Sequence, residues 1–366
     1  MTLDDLPTPC LILDRTILRR NLAAMAAAVA RHGVPLRPHM KTAKSIDVAR
    51  LALAGQPGGI TVSTLAEAEY FAAHGIADIL YAVGITPQKL DSVARLNADG
   101  ADIAVITDDA EMAAAIAAHP HPPRTLIEID CGEARAGLTP DDEALTRLAN
   151  RLGPHLAGVI THAGHSYAGR SAAEMARVAE AERAGVVRAA ERLRGAGHPV
   201  PIVSMGSSPT ALAAARLDGV TEVRAGVYMF GDLFQAEIGT HGIDDIAVTV
   251  LASVIGRRAG RILVDAGGLA LSKDRSTEAA PKDWGFGLVL DRLGRRTYGE
   301  AMVRRAYQEH GVIAPDPAHP MEPALGERVR IAPNHTCMTA AAHDRYYVVD
   351  DGGAEIAAVW PRVNGW

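Results

Sequence analysis

The chain has 366 residues, of which 48% are hydrophobic and 22% are charged, and its formal net charge is −6. This composition excludes a disordered chain and is typical of a soluble globular protein with one large domain and a smaller one. A nucleic-acid-binding surface needs clustered basic residues, whereas the 37 Lys and Arg here are interspersed among 43 Asp and Glu. We therefore expect a small-molecule function and no nucleic-acid partner.

The N-terminal segment and the cysteines indicate the compartment. Residues 1–9 include Asp4 and Asp5 and no apolar core, so they do not resemble a signal peptide, and no apolar run approaches the length of a membrane span. Cys10, Cys131 and Cys337 fit neither a disulfide framework nor a paired zinc-ribbon spacing. These features predict a cytoplasmic protein with no membrane partner.

Short apolar strands alternate with helical segments from residue 8 onward. A strand over 8–14 precedes a helix over 21–33, and a later helix has Thr64 as its N-cap, Glu67 as the capping-box partner and Gly75 at its end. Together with the segment around Lys41, the predicted strands are 59–63, 79–82, 103–106, 126–130, 157–161, 201–204 and 222–226. These eight strands are mostly apolar along their whole length, which predicts an α/β fold whose parallel sheet closes as a (β/α)8 TIM-type barrel.

The pattern changes after about Asp232. Strand-like segments follow at 246–255, 261–265, 328–331 and 346–349, with few helical segments between them. This pattern predicts a second, mainly β domain at the C-terminal end of the chain, which the first strand joins. The expected boundaries are 14–235 for the barrel, and 1–13 with 236–366 for the β domain.

The chemistry of such a barrel collects at the C-terminal ends of its strands, and Lys41 lies at one of them. This residue stands between His39 and Lys44 on a short strand or its exit loop. Taken alone, it is compatible with an ordinary surface lysine. The functional interpretation is an amine that forms a Schiff base with a carbonyl cofactor or substrate.

Two further strand ends carry polar groups. The loop over 130–137 offers Arg135, which can bind a carboxylate through two hydrogen bonds, although such a loop also occurs as a plain turn. The segment over 161–167 places His162, His165 and Tyr167 close together in the sequence. The two imidazoles can ligate a metal or line a cofactor site, or one can be buried and the other solvated.

Two small-residue loops follow the last two strands. The loop over 205–210 offers free N–H groups and the hydroxyls of Ser207 and Ser208 next to a helix start, where a phosphate can bind, although the same residues also make a capping turn. Gly226 lets the backbone after the final strand approach an anion. Barrels frequently bind phosphate at these two positions. A phosphate at one end of a site and an imine-forming Lys41 at the other suggest pyridoxal 5'-phosphate.

The β domain contains a possible metal site. His335 and Cys337 are two residues apart, so on an extended strand they would point to the same face. Both are good ligands for a divalent metal, and the sulfur favours zinc. A single pair of this kind would leave coordination positions open for water or substrate.

The order of these motifs resembles one known family. Residues 38–41, 130–137, 162–167, 206–210 and 335–337 together look like the D-threonine aldolase and D-serine dehydratase family. That family is related to the alanine racemase N-terminal domain and belongs to the fold type III pyridoxal-phosphate enzymes. The segments over 265–276 and 283–287 look more like the aldolase branch than the dehydratase branch.

The resemblance implies roles for individual residues. Lys41 is expected to hold the cofactor covalently, and His165 is a candidate catalytic base beside it, with His162, His310 and a metal-bound hydroxide as alternatives. The divalent metal, expected to be Mn, Mg or Zn, is assigned to His335 and Cys337. Other cofactor contacts are expected from Arg135, Tyr167, Ser207, Ser208, Arg224, Gly226 and Val227.

The implied activity is that of a D-threonine aldolase, which cleaves D-threonine or D-allo-threonine reversibly to glycine and an aldehyde. The alternative is a D-serine or D-threo-3-hydroxyaspartate dehydratase, which uses pyridoxal phosphate and zinc and releases a 2-oxo acid and ammonia. A second alternative is a non-catalytic pyridoxal-phosphate-binding protein, but the small barrels of that kind have no β domain. The resemblance also implies a homodimer.

Overall fold

The computed structural model describes residues 1–258 and 260–366, which form two compact units. The barrel unit consists of Ala24–Gly226 and Val363–Trp366. The β unit consists of Met1–Ala23 and Val227–Arg362. The chain therefore begins in the β unit, forms the barrel unit and returns to the β unit.

The secondary structure is as follows. The strands are β1 (Cys10–Asp14), β2 (Leu36–Pro38), β3 (Ile60–Val62), β4 (Asp78–Gly84), β5 (Asp102–Thr107), β6 (Thr125–Ile129), β7 (Leu156–Thr161), β8 (Ile202–Met205), β9 (Glu222–Ala225), β10 (Val248–Arg258), β11 (Arg261–Val264), β12 (Leu288–Leu290), β13 (Met302–Ala306), β14 (Gly311–Ala314), β15 (Arg328–Ala332), β16 (Arg345–Val349) and β17 (Ala358–Pro361). The helices are α1 (Arg15–Ala30), α2 (Ile46–Leu53), α3 (Leu65–Ala73), α4 (Leu90–Ala98), α5 (Ala110–Ala118), α6 (Ala144–Leu152), α7 (Ala172–Gly195), α8 (Ser208–Ala213), α9 (Leu233–Glu237), α10 (Gly268–Leu271) and α11 (Thr336–Ala340).

The predicted (β/α)8 barrel is confirmed. Eight parallel strands pair in the order β2-β9-β8-β7-β6-β5-β4-β3, and a bridge between His39 and Thr61 joins the two ends of this order. All six residues of β7 are buried, as expected for a strand covered on both faces. Closure of the sheet brings the exit loops of all eight strands to one end of the barrel unit.

The helix predicted after β3 shows how local sequence sets an element's start. The Thr64 side chain accepts a hydrogen bond from the backbone N–H of Glu67, and the helix is followed by Gly75 with φ of +88°. Both are features that the sequence predicts. The longest helix, α7, has 24 residues, and no helix among the described residues is both long and apolar enough to cross a membrane.

The β unit is built on a nine-stranded sheet in the order β11-β14-β13-β12-β15-β10-β1-β16-β17. The N-terminal strand β1 lies inside this sheet, antiparallel to β10 and parallel to β16. All five of its residues are buried. The first strand therefore joins the C-terminal sheet, as the sequence pattern predicts.

Gly59, just before β3, allows a close backbone approach on which the barrel depends. A Cβ atom at this position would overlap the Asp78 carbonyl oxygen, whereas a Cβ on Gly58 would meet nothing within 4 Å. We predict that Gly59→Ala lowers the free energy of unfolding by roughly 1–3 kcal/mol, because the strands must move apart. Denaturant unfolding followed by circular dichroism measures this effect, with Gly58→Ala as the matched control. Equal stability of the two variants would contradict the prediction.

Candidate active site

Lys41 lies in the turn that follows β2. The backbone on both sides is held in place: the His39 N–H donates to the Ala225 carbonyl and the Met40 N–H to the Thr61 carbonyl, each at 2.8 Å. These bonds tie the turn to β9 on one side and to β3 on the other. The Lys41 side chain itself is exposed, so its backbone is held in place while its amine is accessible.

Two uncharged imidazoles lie beside Lys41. Burial, and then the charge of Lys41, lowers the pKa of His39 well below its usual value and lowers that of His162 to about 3. The Nδ1 atom of His162 is 3.0 Å from the Gly206 carbonyl oxygen, which can only accept a hydrogen bond. Nδ1 therefore carries the proton, and Nε2 of His162 is left with a free lone pair.

The loop after β6 places Arg135 at the barrel mouth. Asp130 shapes this loop by accepting hydrogen bonds from the N–H groups of Gly132 and Ala134 at 2.8 and 3.1 Å. The Arg135 guanidinium is 3.8 Å from Glu128, and its side chain is 56% exposed. Burial raises the pKa of the Glu128 carboxyl, although Arg135 opposes the shift. The guanidinium also lies 3.5 Å from the Glu133 carboxylate, so two carboxylates flank it at the barrel mouth.

His165 and Tyr167 occupy a short 3-10 helix, Gly164–Ala168, which follows β7. The His165 ring packs against Gly132, where an added Cβ would lie 3.7 Å from the imidazole. Tyr167 is half-buried. The exit loops of β6 and β7 therefore pack against each other and bring the His165 ring close to the loop that carries Arg135.

The backbone of the loop after β8 packs closely against β9. Gly206 has φ of +130°, and a Cβ there would overlap the Arg224 carbonyl oxygen. Ser207 is the N-cap of α8, whose first residue, Ser208, is buried with it. At the exit of β9, a Cβ on Gly226 would lie 2.9 Å from the His39 carbonyl oxygen. Both loops that the sequence assigns to a phosphate thus have backbone geometry that tolerates only glycine at one position.

The last two residues that the sequence assigns to the cofactor are Arg224 and Val227. Arg224 on β9 is 4% exposed, and its guanidinium donates to the Ser204 hydroxyl at 2.6 Å and to the Thr161 carbonyl at 2.5 Å. Val227 is the first residue of the second segment of the β unit and begins a 3-10 helix, Val227–Met229.

These groups of the barrel unit fit a phosphorylated carbonyl cofactor. An accessible amine at Lys41, a neutral imidazole at His162 and two buried serines at positions 207 and 208 stand on neighbouring strand ends. Gly206 and Gly226 allow close backbone packing at the same strand ends. The lysine can hold a carbonyl group by covalent attachment, and the serine hydroxyls at the start of α8 can bind an anion by hydrogen bonds.

The metal-type pair lies in the β unit, and its predicted local structure is wrong. His335 and Cys337 are not on an extended strand, because His335 is the N-cap residue of α11. The Thr336 backbone N–H donates to the buried Asp232 carboxylate at 3.0 Å, which holds the chain in a helical start. Cys337 nevertheless contacts His335 through its side chain.

Asp274 completes this cluster. Its carboxylate oxygen is 2.7 Å from Nδ1 of His335, and this hydrogen bond lowers the pKa of Asp274 to about 2. Burial opposes protonation of His335, but Asp274 and Cys337 raise its pKa to about 11. With Nδ1 bonded to a carboxylate, Nε2 is the nitrogen available to a metal. Among the described residues, no group of three or more His, Cys, Asp or Glu is arranged to hold a metal.

Sequence reasoning missed Asp274 and Glu182. Glu182 lies in the middle of α7, where one carboxylate oxygen accepts from the N–H groups of Ala163 and Gly206, each at 3.0 Å. It thereby joins the exit loops of β7 and β8. An acid on the buried face of a helix is the one signal that could have indicated Glu182, whereas Asp274 is 61 residues from His335 and has no such signal.

Comparison with known proteins gives the class and then the family. The alanine racemase N-terminal domain model matches residues 13–233, and a putative serine dehydratase domain model matches residues 247–349. The fold and the matched models define a pyridoxal-phosphate enzyme of fold type III. The chain belongs, within that class, to the family that contains the D-serine dehydratases, D-threonine aldolases and hydroxyaspartate dehydratases.

Individual relatives differ in similarity. D-threo-3-hydroxyaspartate dehydratase of Delftia sp. (strain HT23) is 45% identical over 380 residues, covering 100% of this chain and 99% of that protein. Its solved structure matches with a TM-score of 0.95, 44% identity and 100% coverage of both chains. D-threonine aldolase of Arthrobacter sp is 30% identical, covering 95% of this chain and 90% of that protein.

Two solved variants of the hydroxyaspartate dehydratase concern a histidine and a cysteine. One is a histidine-to-alanine mutant, and the other is a cysteine-to-alanine mutant in the metal-free form. The two mutated residues are two positions apart in that protein. His335 and Cys337 have the same spacing in this chain.

We predict that Asp274 governs metal binding by the His335–Cys337 pair. Asp274→Asn should weaken Zn²⁺ binding by about 10–100-fold, because His335 loses the carboxylate that orients its ring. Competition with a chromophoric chelator measures the affinity. Asp316→Asn is the matched control, since Asp316 also bonds to a histidine, His319, at 3.1 Å. Unchanged Zn²⁺ affinity in Asp274→Asn would refute the assignment.

Proposed function

We propose that this protein is a pyridoxal-phosphate- and metal-dependent hydro-lyase, a D-3-hydroxyamino-acid dehydratase whose substrate is of the D-threo-3-hydroxyaspartate type. The observation that carries the proposal is 45% identity over 100% of the chain to a D-threo-3-hydroxyaspartate dehydratase, against 30% to a D-threonine aldolase. The comparisons therefore favour the alternative that the sequence left second. The products would be a 2-oxo acid and ammonia.

All of the proposed cofactor contacts except Val227 belong to the barrel unit. Lys41 would attach the cofactor, Ser207 and Ser208 would meet its phosphate next to Gly226 and Val227, and its ring would contact Arg135, Tyr167 and Arg224. When bound, pyridoxal phosphate takes up the electron pair of the bond broken at the substrate Cα. Lys41 is the group proposed to accept the Cα proton. His162 would stay neutral and would not compete for that proton, because its pKa is lowered to about 3, while the role expected for His165 stays a prediction.

The proposed metal ligands follow from the β unit. His335 and Cys337 would hold the ion, and Asp274 would orient the His335 ring. A bound divalent metal supplies a Lewis acid that stabilises the departing hydroxide. A thiolate in the donor set favours zinc over manganese or magnesium. The homodimer and the cytoplasmic location expected from the sequence remain predictions.

The second candidate is D-threonine aldolase. Its support is the 30% identity to the Arthrobacter enzyme over 95% of the chain and the structural match to an aldolase from Filomicrobium marinum, with a TM-score of 0.82 at 27% identity. The same attachment of the substrate nitrogen serves either reaction, so the cofactor residues do not separate the two candidates.

We predict that Lys41→Ala loses both the visible absorbance of bound cofactor and all turnover, because the variant has no amine for covalent attachment. Borohydride reduction of the wild-type protein followed by peptide mapping should label Lys41. The control is Lys282→Ala, in which the lost lysine lies in the β unit and pairs with Glu300. Labelling of another lysine would show that the assignment is wrong.

Product analysis distinguishes the candidate reactions. With D-threo-3-hydroxyaspartate, a dehydratase gives oxaloacetate and ammonia, whereas an aldolase gives glycine and glyoxylate. We expect the first pair of products, and we expect exhaustive chelation to abolish their formation until Zn²⁺ is restored. D-threonine serves as the second substrate, since it yields 2-oxobutanoate with ammonia or glycine with acetaldehyde. Glycine without ammonia would identify an aldolase, and no product from either substrate would favour the non-catalytic alternative.

A further inference from the structure

The interior of the barrel unit contains a chain of charged and polar side chains that the proposed reaction leaves without a role. Arg37 on β2 donates to both oxygens of Asp78 at 3.1 and 2.9 Å and to Glu222 at 2.8 Å. Arg37 and Glu222 are each 8% exposed, whereas the Asp78 side chain is 44% exposed. The chain of contacts therefore starts at solvent, where β4 begins, and leads into the barrel.

From Glu222 the series of hydrogen bonds continues toward the strand ends. The Ser204 hydroxyl donates to Glu222 at 2.6 Å and accepts from the Arg224 guanidinium, also at 2.6 Å. Strand pairing fixes this arrangement, because Ser204 is the register partner of Glu222, and Arg37 is that of Arg224. Ser204 is fully buried, so each of its polar contacts is made inside the protein.

Arg224 is held in an unusual way for a buried cation. A buried guanidinium commonly bonds to a carboxylate, but Arg224 donates to the Ser204 hydroxyl and to the Thr161 carbonyl. A serine hydroxyl has a single hydrogen, and the Glu222 carboxylate can only accept, so that hydrogen is committed to Glu222. The lone pairs of Ser204 are consequently turned toward Arg224.

The charge of Glu222 also reaches Arg224. Burial lowers the pKa of the Arg224 guanidinium, and Glu222 opposes this shift more strongly than Glu182 or Glu128. Glu222 thus influences Arg224 both by orienting the hydroxyl between them and by balancing its charge. Both effects act without direct contact between the two side chains.

We propose that Glu222, acting through Ser204, is a positioning residue that fixes the Arg224 guanidinium against the cofactor and sets the charge of the cofactor pocket. The proposal rests on the proposed function, since it takes Arg224 as a residue that faces pyridoxal phosphate. It extends that function to side chains that would not touch the cofactor. A purely structural role would instead confine the effect of Glu222 to the stability of the barrel.

The test uses the full-length protein loaded with pyridoxal phosphate. Glu222→Gln removes the carboxylate charge and keeps the side-chain shape nearly constant. Ser204→Ala removes the hydroxyl that joins Glu222 to Arg224 and changes no charge. The double variant removes both the charge and the hydroxyl. We expect each single change to raise the dissociation constant of the cofactor about tenfold, the cost of a lost charge-assisted hydrogen bond. Both changes break the same series of hydrogen bonds, so their effects should not add. The double variant should therefore have about the same cofactor dissociation constant as the single variant that binds the cofactor more weakly.

A second readout separates positioning from stability. Loss of the anion at position 222 should lower the pH midpoint of the bound cofactor's visible absorbance, because a more positive pocket disfavours the protonated cofactor linkage. Asp102→Asn is the matched control: Asp102 is the register partner of Asp78 and pairs with Arg124 at 2.6 Å outside the chain of contacts. It should leave the dissociation constant and the pH midpoint unchanged.

Four results would overturn the proposal. One is a lower thermal midpoint in Glu222→Gln with unchanged cofactor affinity and pH midpoint, which indicates a structural role. Another is a multiplicative loss of about a hundredfold in the double variant, which indicates independent effects. If Glu222→Gln does not fold, unchanged affinity in Ser204→Ala decides against the proposal. Wild-type protein that binds no cofactor would refute the proposed function itself, and this role with it.

Discussion

The parallel pairing of β2 with β9 is the constraint on which the candidate cofactor site depends. It joins the first and last strands of the barrel, whose paired residues lie 187 positions apart in the chain, and sets Pro38 opposite Ala225. The turn that carries Lys41 then bonds to the end of β9, and Gly226 lies so close to His39 that a Cβ would be 2.9 Å from its carbonyl oxygen. A side chain at position 226 would push the lysine turn away. The proposed covalent attachment point and one proposed anion loop are therefore positioned by the same pair of strands.

Burial of charge is the second constraint on the barrel unit. The buried Arg37 guanidinium donates to two carboxylates, and the buried Glu182 carboxylate accepts from two backbone N–H groups. Such buried polar networks contribute little net stability, because desolvation offsets most of the attraction, but they fix the direction of each member. The imidazoles of His39 and His162 meet the same constraint differently, by staying uncharged beside Lys41. The result is a site in which orientation and protonation are set before any ligand arrives.

What the sequence predicts and what it misses follow from the range of the interactions. Apolar strands, the Thr64–Glu67 cap and the small-residue loops are local sequence patterns. The barrel and the loops at its strand ends can therefore be predicted from them. The pairing of His335 with Cys337 is also local, although a helix start and not a strand brings them together. Asp274 lies 61 residues from the histidine that it contacts. No periodicity or spacing reports a contact of that kind, because it exists only after the chain has folded.

The same distinction explains why individual segments favoured the aldolase branch while whole-chain identity favours the dehydratase. The segment over 265–276 contains Asp274, whose carboxylate contacts His335, and Ser276, which donates to that carboxylate through its backbone N–H at 2.7 Å. The segment thus supports a candidate metal ligand, and the metal is expected for either reaction. A segment with that role does not separate two reactions that differ in the bond broken. Identity over the whole chain samples every exit loop together, which is why the 45% match outweighs the resemblance of one segment.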